Sequence, residues 1–318
     1  MSHRLADGSS PVAPLRSTSL LHSYVTSYVQ CGERQLDLST PCVMGVINLT
    51  PDSFSDGGRY MRRGRGGEEV DLGAVLAGAQ AMLEAGAKIL DVGGESTRPG
   101  ASAVTCAEEL KRVMPVVEQL VELDTIVSVD TGKAEVAQAA VSAGVGLIND
   151  VTALRDPGML PVFAASGVGL CLMHMRGEPR TMQEGPVYQD VVAEVAAFLL
   201  QRSNQALAAG IAAERIVIDP GIGFGKTLEH NLALLSSLDE LRALGFPVLV
   251  GISRKRSLGA LTGRAVEDRL AAGLGAAVVA AANGAAIIRT HDVAATVDAL
   301  AVAQAIWDAQ DNTHTRNP

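Results

Sequence analysis

The residues best suited to chemistry in this chain stand at the ends of short aliphatic runs. They are Asn48, Asp91 with Glu95 beyond it, Asp130, Asn149 and Asp150, His174, Asp219, Ser253 to Lys255, and Arg289 with His291. A lone Asp or Asn in such a place is as readily a helix N-cap, because both accept from the free N–H groups of a first turn. Caps do not call for Lys255, Arg289 or His291. Sorted by chemistry, the set has two halves. Arg98, Arg289 and His291 are donors that suit phosphate or carboxylate. Asp130, Asn149 and Asp219 are acceptors that suit a neutral heterocycle bearing several N–H groups. A buried partner left unpaired costs about 1–3 kcal/mol, which makes such acceptors selective. Lys255 could serve either half.

The stretch DPGIGFGKT, Asp219 to Thr227, suggests a phosphate cradle. A P-loop needs four residues between its glycines before Lys-Ser/Thr. Only Ile222, Gly223 and Phe224 separate Gly221 from Gly225, so the loop is one residue short. The alternative is a glycine-rich turn after a buried strand, where glycine permits positive φ and close backbone approach.

The elements that must position these groups recur in one pattern. Aliphatic runs fall at Val43–Ile47, Ile89–Val92, Ile126–Val129, Gly146–Ile148, Gly169–Met173, Ile216–Ile218, Val248–Gly251 and Ala286–Ile288. Uniform apolar runs, rather than alternating ones, mean strands buried on both faces. Between them, helical spacing covers residues 71–85, 107–122, 134–143, 158–166, 188–209, 228–244, 266–283 and 293–309. Gly86, Gly144, Gly167, Gly210, Gly245 and Gly284 sit where a helix needs a left-handed cap before the next strand. Eight such units fit a single (β/α)8 TIM barrel of about 250 residues. A doubly wound open sheet would want a phosphate fingerprint after its first strand, and Asn48-Leu49-Thr50-Pro51-Asp52 has none. In a barrel, the strand ends listed first would share one face. Two polar loops, Asn48–Gly58 and Glu95–Gly100, exceed a minimal connection and read either as lids or as plain surface. Residues 24–38 suggest a short N-terminal hairpin turning at Cys31-Gly32-Glu33. Residues 1–25 are expected to be a flexible, disordered extension, 26–310 the barrel, and 311–318 a flexible tail.

Composition agrees. Of 318 residues, 47% are hydrophobic but only 3% aromatic, which suits an aliphatic core of helices on a parallel sheet. The net charge of −9 and the lack of a large basic face argue against a nucleic-acid partner. No run is long enough to span a membrane, so no membrane partner is expected. Cys31, Cys42, Cys106 and Cys171 are scattered, as free thiols in a reducing cytoplasm would be.

Taken in order, VINLTPDSFSDGG (Val46–Gly58), DVGGESTRPG (Asp91–Gly100), VDT (Val129–Thr131), IND (Ile148–Asp150), LMH (Leu172–His174), DPGIGFGK (Asp219–Lys226), SRK (Ser253–Lys255) and IRTHD (Ile288–Asp292) resemble dihydropteroate synthase. The likeness runs from about residue 30 to 305. It implies the joining of 6-hydroxymethyl-7,8-dihydropterin diphosphate to p-aminobenzoate with Mg2+, by a dissociative path in folate synthesis. Matched by position, Asp130, Asn149, Asp219 and Lys255 would hold the pterin, with Met173 and Phe224 against its ring. Asn48 would bind the metal and diphosphate, and Arg289, His291 and Arg98 would clamp the diphosphate. Phe54, Thr97, Arg98, Pro99 and Lys255 would shape the p-aminobenzoate site. On this likeness Lys226 is expected at the surface, and the last helices would carry a homodimer, although the small residues at 271–285 fit equally an ordinary helix packed on the barrel. Three features depart from the family pattern: Arg256, where Ser is frequent, a short basic insertion from Tyr60 to Gly67, and the N-terminal extension.

Other readings remain open on the residues. A pterin-binding methyltransferase shares the acceptors but has no use for Arg98, Arg289 and His291. A Schiff-base lyase would need Lys255 with a lowered pKa, whereas nearby carboxylates keep a lysine protonated. A non-catalytic relative would not need every chemical position filled.

Overall fold

The computed structural model describes residues 27–50, 60–64, 67–96, 101, 103–177, 182 and 185–314. The expected extension at 1–25 lies outside them, as do residues 315–318 of the expected tail.

Two short strands, β1 (Tyr28–Cys31) and β2 (Arg34–Asp37), form the N-terminal hairpin, turning at Gly32 and Glu33. Then β3 (Cys42–Asn48) opens the barrel. The basic insertion is a second hairpin, β4 (Met61–Gly64) with β5 (Gly67–Val70). The chain continues through α1 (Leu72–Glu84), β6 (Ile89–Gly93), α2 (Cys106–Leu120), β7 (Ile126–Asp130), α3 (Ala134–Ser142) and β8 (Leu147–Asp150). Next come α4 (Met159–Ala164), β9 (Gly169–Met173), α5 (Val191–Ala208) and β10 (Ile216–Asp219). The last quarter holds α6 (Leu228–Ser236), α7 (Leu238–Arg242), β11 (Val248–Gly251), α8 (Arg256–Thr262), α9 (Leu270–Ala282), β12 (Ala285–Thr290) and α10 (Val293–His314).

Strands β3 and β6 to β12 pair in chain order, all parallel, and β12 closes on β3. The strands are aliphatic because each has two apolar faces to satisfy. Met44, Ile89, Leu147, Cys171, Val217, Leu249 and Ile287 fill the barrel, and Val29, Cys31 and Leu36 of the hairpin complete that cluster from below. Val43, Leu90, Val127, Ile148, Leu170 and Ile218 belong to the larger cluster that packs the helix layer.

Side-chain caps set four of the helix starts. Asp71, Thr105, Asp190 and Thr227 accept from first-turn N–H groups of α1, α2, α5 and α6. Four expectations need correction. The helix expected at 228–244 is two, because Ser237 leaves helical geometry at φ −122° and ψ 32°. The one expected at 266–283 starts at Leu270, and a separate α8 precedes it, ended by Gly263 at φ +69°. The final helix runs past 309 to His314. Gly86, Gly144, Gly210, Gly245 and Gly284 have positive φ, but Gly167 does not. Its carbonyl instead accepts from Gly32 N of the hairpin at 3.0 Å.

Candidate active site

Parallel pairing carries the strand ends to one rim. Asn48 lies opposite Gly93, Gly93 opposite Asp130, and Asp130 opposite Asn149. Asp219 lies opposite Met173, and Arg289 opposite Gly251. Apart from Gly93, these residues line, with Phe224, Lys255 and His291, one cavity of about 640 Å³. All the expected site residues that are described therefore converge. Phe54, Thr97, Arg98 and Pro99 lie outside the described residues. A roomier cavity, about 850 Å³, opens at the other end between the hairpin, α1 and α10, but none of the strand-end ring reaches it.

The charges interlock. Arg289 Nε donates to Asp91 Oδ2 at 2.6 Å and its Nη2 to Asp130 Oδ2 at 3.0 Å. Asn149 Nδ2 donates to the same Asp91 oxygen at 3.3 Å. Asn149 Oδ1 and Asp91 Oδ1 are buried and have no partner among the described residues. Unpaired buried acceptors are costly, so this rim is made to receive N–H donors. The sequence sorted donors and acceptors into two halves; here Arg289 stands among the acceptors, not apart from them.

Burial pushes the Asp130 carboxyl up to about 7, against the pull of Arg289. Burial also raises Asp219, with Lys255 opposing. It pushes the Lys255 ammonium down to about 8, while Asp219 holds it up. Lys255 thus stays mostly protonated at neutral pH, though less firmly than carboxylate neighbours alone imply. Burial works against the Arg289 charge too, but Asp91 and Asp130 outweigh it and raise that group above its ordinary value. Beyond Arg289, Asn48 Nδ2 lies 3.4 Å from His291 Nε2, and His291 Nδ1 lies 3.1 Å from Ser253 Oγ. Val151, Met173, Met175 and Met182, with Phe224 against them, form an apolar wall.

Two ring members are structural. Asp150 is fully buried and accepts from Thr152 N, Thr152 Oγ1 and Leu154 N, holding a turn in which Ala153 and Leu154 have positive φ. His174 has its imidazole against Lys226 Nζ at 2.9 Å. Lys226 is not at the surface: it is 3% exposed, because the glycine-rich turn folds its carbonyls onto the ammonium.

The pterin binding enzyme family model matches residues 44–291. The dihydropteroate synthase of Escherichia coli (strain K12) is 47% identical over 278 residues, spanning 87% of this chain and 95% of that protein. The chain belongs to the dihydropteroate synthase family. Its activity is accordingly that of a transferase in folate biosynthesis. Among solved structures, the Xanthomonas albilineans dihydropteroate synthase with 4-aminobenzoic acid superposes at a TM-score of 0.80 with 50% identity, covering 89% of this chain and 99% of that one. The Burkholderia cenocepacia dihydropteroate synthase complexed with 7,8-dihydropteroate superposes at 0.79 with 44% identity, covering 91% and 100%.

Within this barrel, three supporting groups had no role assigned from the sequence, although Asp91 and Glu95 were named there as strand-end residues. Asp91 ties Arg289 to Asn149 from inside the barrel. Lys133 bridges Glu95 and the buried Glu109, while Glu95 Oε1 accepts from Val104 N at 2.9 Å. Asn231 Oδ1 accepts from Gly223 N at 2.7 Å. Asp91 and Glu95 had a signal, charges within and just beyond an apolar run; Lys133, Glu109 and Asn231 had none.

Proposed function

We propose that this pocket joins 6-hydroxymethyl-7,8-dihydropterin diphosphate to p-aminobenzoate, giving 7,8-dihydropteroate and pyrophosphate. The observation that carries the reading is the Asn149 carboxamide: its N–H is engaged by Asp91, while its buried oxygen faces no donor among the described residues. A pterin edge offers that donor, with Asp219 and Asp130 as further acceptors and Lys255 donating to ring oxygen or nitrogen. Met173 and Phe224 supply an apolar face for the ring. The 4-aminobenzoic acid and 7,8-dihydropteroate of the solved relatives favour the same ligands here. Thr97, Arg98, Pro99 and Phe54 would complete the p-aminobenzoate side.

The step is dissociative in this reading. The bond from the exocyclic methylene to the diphosphate oxygen breaks, and its electron pair leaves with the diphosphate. Arg289, His291 and Arg98 stabilise the charge that develops there. The methylene cation, spread into the ring, is stabilised by the Asp130 carboxylate. The neutral amine of p-aminobenzoate attacks the methylene, and the ammonium so formed gives its proton to the released pyrophosphate or to water. No strong base is required before attack.

No cluster of three His, Cys, Asp or Glu side chains could cage a metal among the described residues. The rim instead offers Asn48 beside the anion-binding His291. That suits Mg2+, which keeps most of its water and rides on substrate phosphates. Held by Asn48 and the diphosphate, Mg2+ would supply further positive charge to the leaving oxygens.

A homodimer through α9 and α10 is part of the proposal. Leu270, Val279, Val302 and Ile306 are exposed at 43%, 54%, 63% and 54%, an apolar surface that pairing would cover. A cytoplasmic location rests on four free cysteines, three of them buried. The test is incubation with pterin diphosphate, p-aminobenzoate and Mg2+, with mass detection of dihydropteroate. Product should form, vanish with EDTA and return with Mg2+. No product refutes the reading; full activity in EDTA removes the metal from it.

A further inference from the structure

Lys226 has no part in the chemistry above, yet it is the most heavily bonded cation near the pocket. Its Nζ lies 2.9 Å from Phe224 O, 3.0 Å from Gly221 O, 2.9 Å from His174 Nδ1 and 3.4 Å from His174 O. An ammonium has three N–H donors, and these neutral acceptors engage them all. Burial drives the His174 imidazole down to about 3, helped by Lys226, so its ring is neutral. Burial also pushes Lys226 down to about 7 against the pull of Asp219, and in its ammonium form Lys226 donates to Nδ1 of the Nε2–H tautomer.

The acceptors come from two segments, the exit of β9 and the turn after β10. That turn is built to meet Lys226. Gly221, Gly223 and Gly225 have φ of +65°, +86° and +61°. A Cβ on Gly221 would run into the His174 carbonyl oxygen, and one on Gly225 into that of Arg176. Only glycine lets the turn lie flat against β9 with its carbonyls inward.

On its other side the same turn holds Lys255. The Lys255 Nζ donates to Ile222 O and stands 4.7 Å from the Phe224 ring centroid. Lys226 therefore grips residues 221 and 224 from behind, while Lys255 takes the carbonyl between them from the pocket. Asn231 Oδ1 and Tyr188 Oη fasten Gly223 N and Gly225 O, so the turn has few other freedoms.

We propose that Lys226 is a positioning residue, fixing the Ile222 carbonyl and Phe224 ring and through them the place of the Lys255 ammonium; its effect on ligand binding rests on the pterin reading of the pocket. Lys226 borders the same cavity, but its Nζ is turned onto the carbonyls of the turn and the His174 ring, so in this role it acts through the turn. Its loss should move Lys255 rather than unfold the barrel.

The test uses the full-length protein and Lys226→Met, with Lys226→Gln, which keeps two N–H donors, carrying the same measurements if circular dichroism shows the Met variant unfolded. The first readout needs no ligand: the ring-current shift that Phe224 imposes on the Lys255 ε-methylene, followed by NMR. Lys226→Met should reduce it by at least half; an unchanged shift overturns the proposal. The second is calorimetric affinity for 6-hydroxymethylpterin in a double-mutant cycle. Lys226→Met should weaken binding about tenfold beside Lys255 but less than about twofold in a Lys255→Met background, because the loss passes through Lys255. Equal losses in both backgrounds also overturn it. Failure of the wild type to bind the pterin would count against the pterin reading alone, and the ring-current measurement would still decide the role of Lys226.

Discussion

The two ends of the barrel are made by the same eight strands and treat polarity in opposite ways. At the N-terminal end, Val29, Cys31 and Leu36 of the hairpin close an apolar cluster with Met44, Leu147 and Val217. At the C-terminal rim, Arg289 spans two carboxylates, and the buried Oδ1 atoms of Asn149 and Asp91 stand without donors among the described residues. One end spends its burial on stability; the other keeps polar groups only partly satisfied, so that a ligand can complete them. Substitutions at the rim should therefore change turnover, and those at the base should change only stability.

The largest effect should come from Arg289→Ala. It strips the buried Asp91 and the Asp130 carboxylate of their cation, a loss of about 3–5 kcal/mol when one partner of a buried pair is removed. It also takes a donor from the leaving diphosphate, so kcat/KM should fall by at least about 100-fold. Steady-state kinetics beside urea unfolding would measure both; a small kinetic loss would blur the contrast between the ends. Next, Leu36→Ala should cost about 2–5 kcal/mol by urea unfolding, as large-to-small core changes do. KM and kcat should stay within about twofold, since the hairpin lies at the far end of the barrel from the cavity. A marked kinetic change would show that the two ends are coupled.

The eight strands were legible because each must bury both faces, so its run is aliphatic and its end is where the first polar residue falls. That rule alone located Asp130, Asn149, Asp219 and Arg289. It did not give the role of Asp91, whose partners Asn149 and Arg289 lie 58 and 198 residues away. Nor did it place Lys226. A lysine after a run of glycines looks exposed, and only the backbone path of Gly221 to Gly225 turns the carbonyls toward it. The separate α8 also escaped, because Arg256–Thr262 is too short for a clear apolar period.

Acidity gives a subtler contrast. Burial holds the Asp130 carboxyl up to about 7. The carboxylate is the form that accepts from the pterin, and it is lost as pH falls through that value. So kcat/KM should decline about tenfold per unit below pH 7, and Asp130→Asn should lower the plateau and erase this limb. A profile flat down to pH 5 would refute that role. The smallest effect belongs to the outer surface of the base. Arg34 pairs with Asp124 there, with side chains 48% and 96% exposed. Arg34→Ala should shift stability by less than about 1 kcal/mol and leave kinetics alone; a larger shift would mean the hairpin is pinned by charge rather than by its apolar side chains.

The central claim is that the unpaired acceptors of the rim are a pterin site, and a crystal structure of the protein with a bound pterin tests it most directly. The account predicts ring N–H groups on Asn149 Oδ1 and the Asp219 carboxylate, with the Lys255 ammonium in hydrogen-bond reach of the ring. A pterin seated elsewhere, or one seated here with Asn149 Oδ1 still lacking a donor, would contradict it.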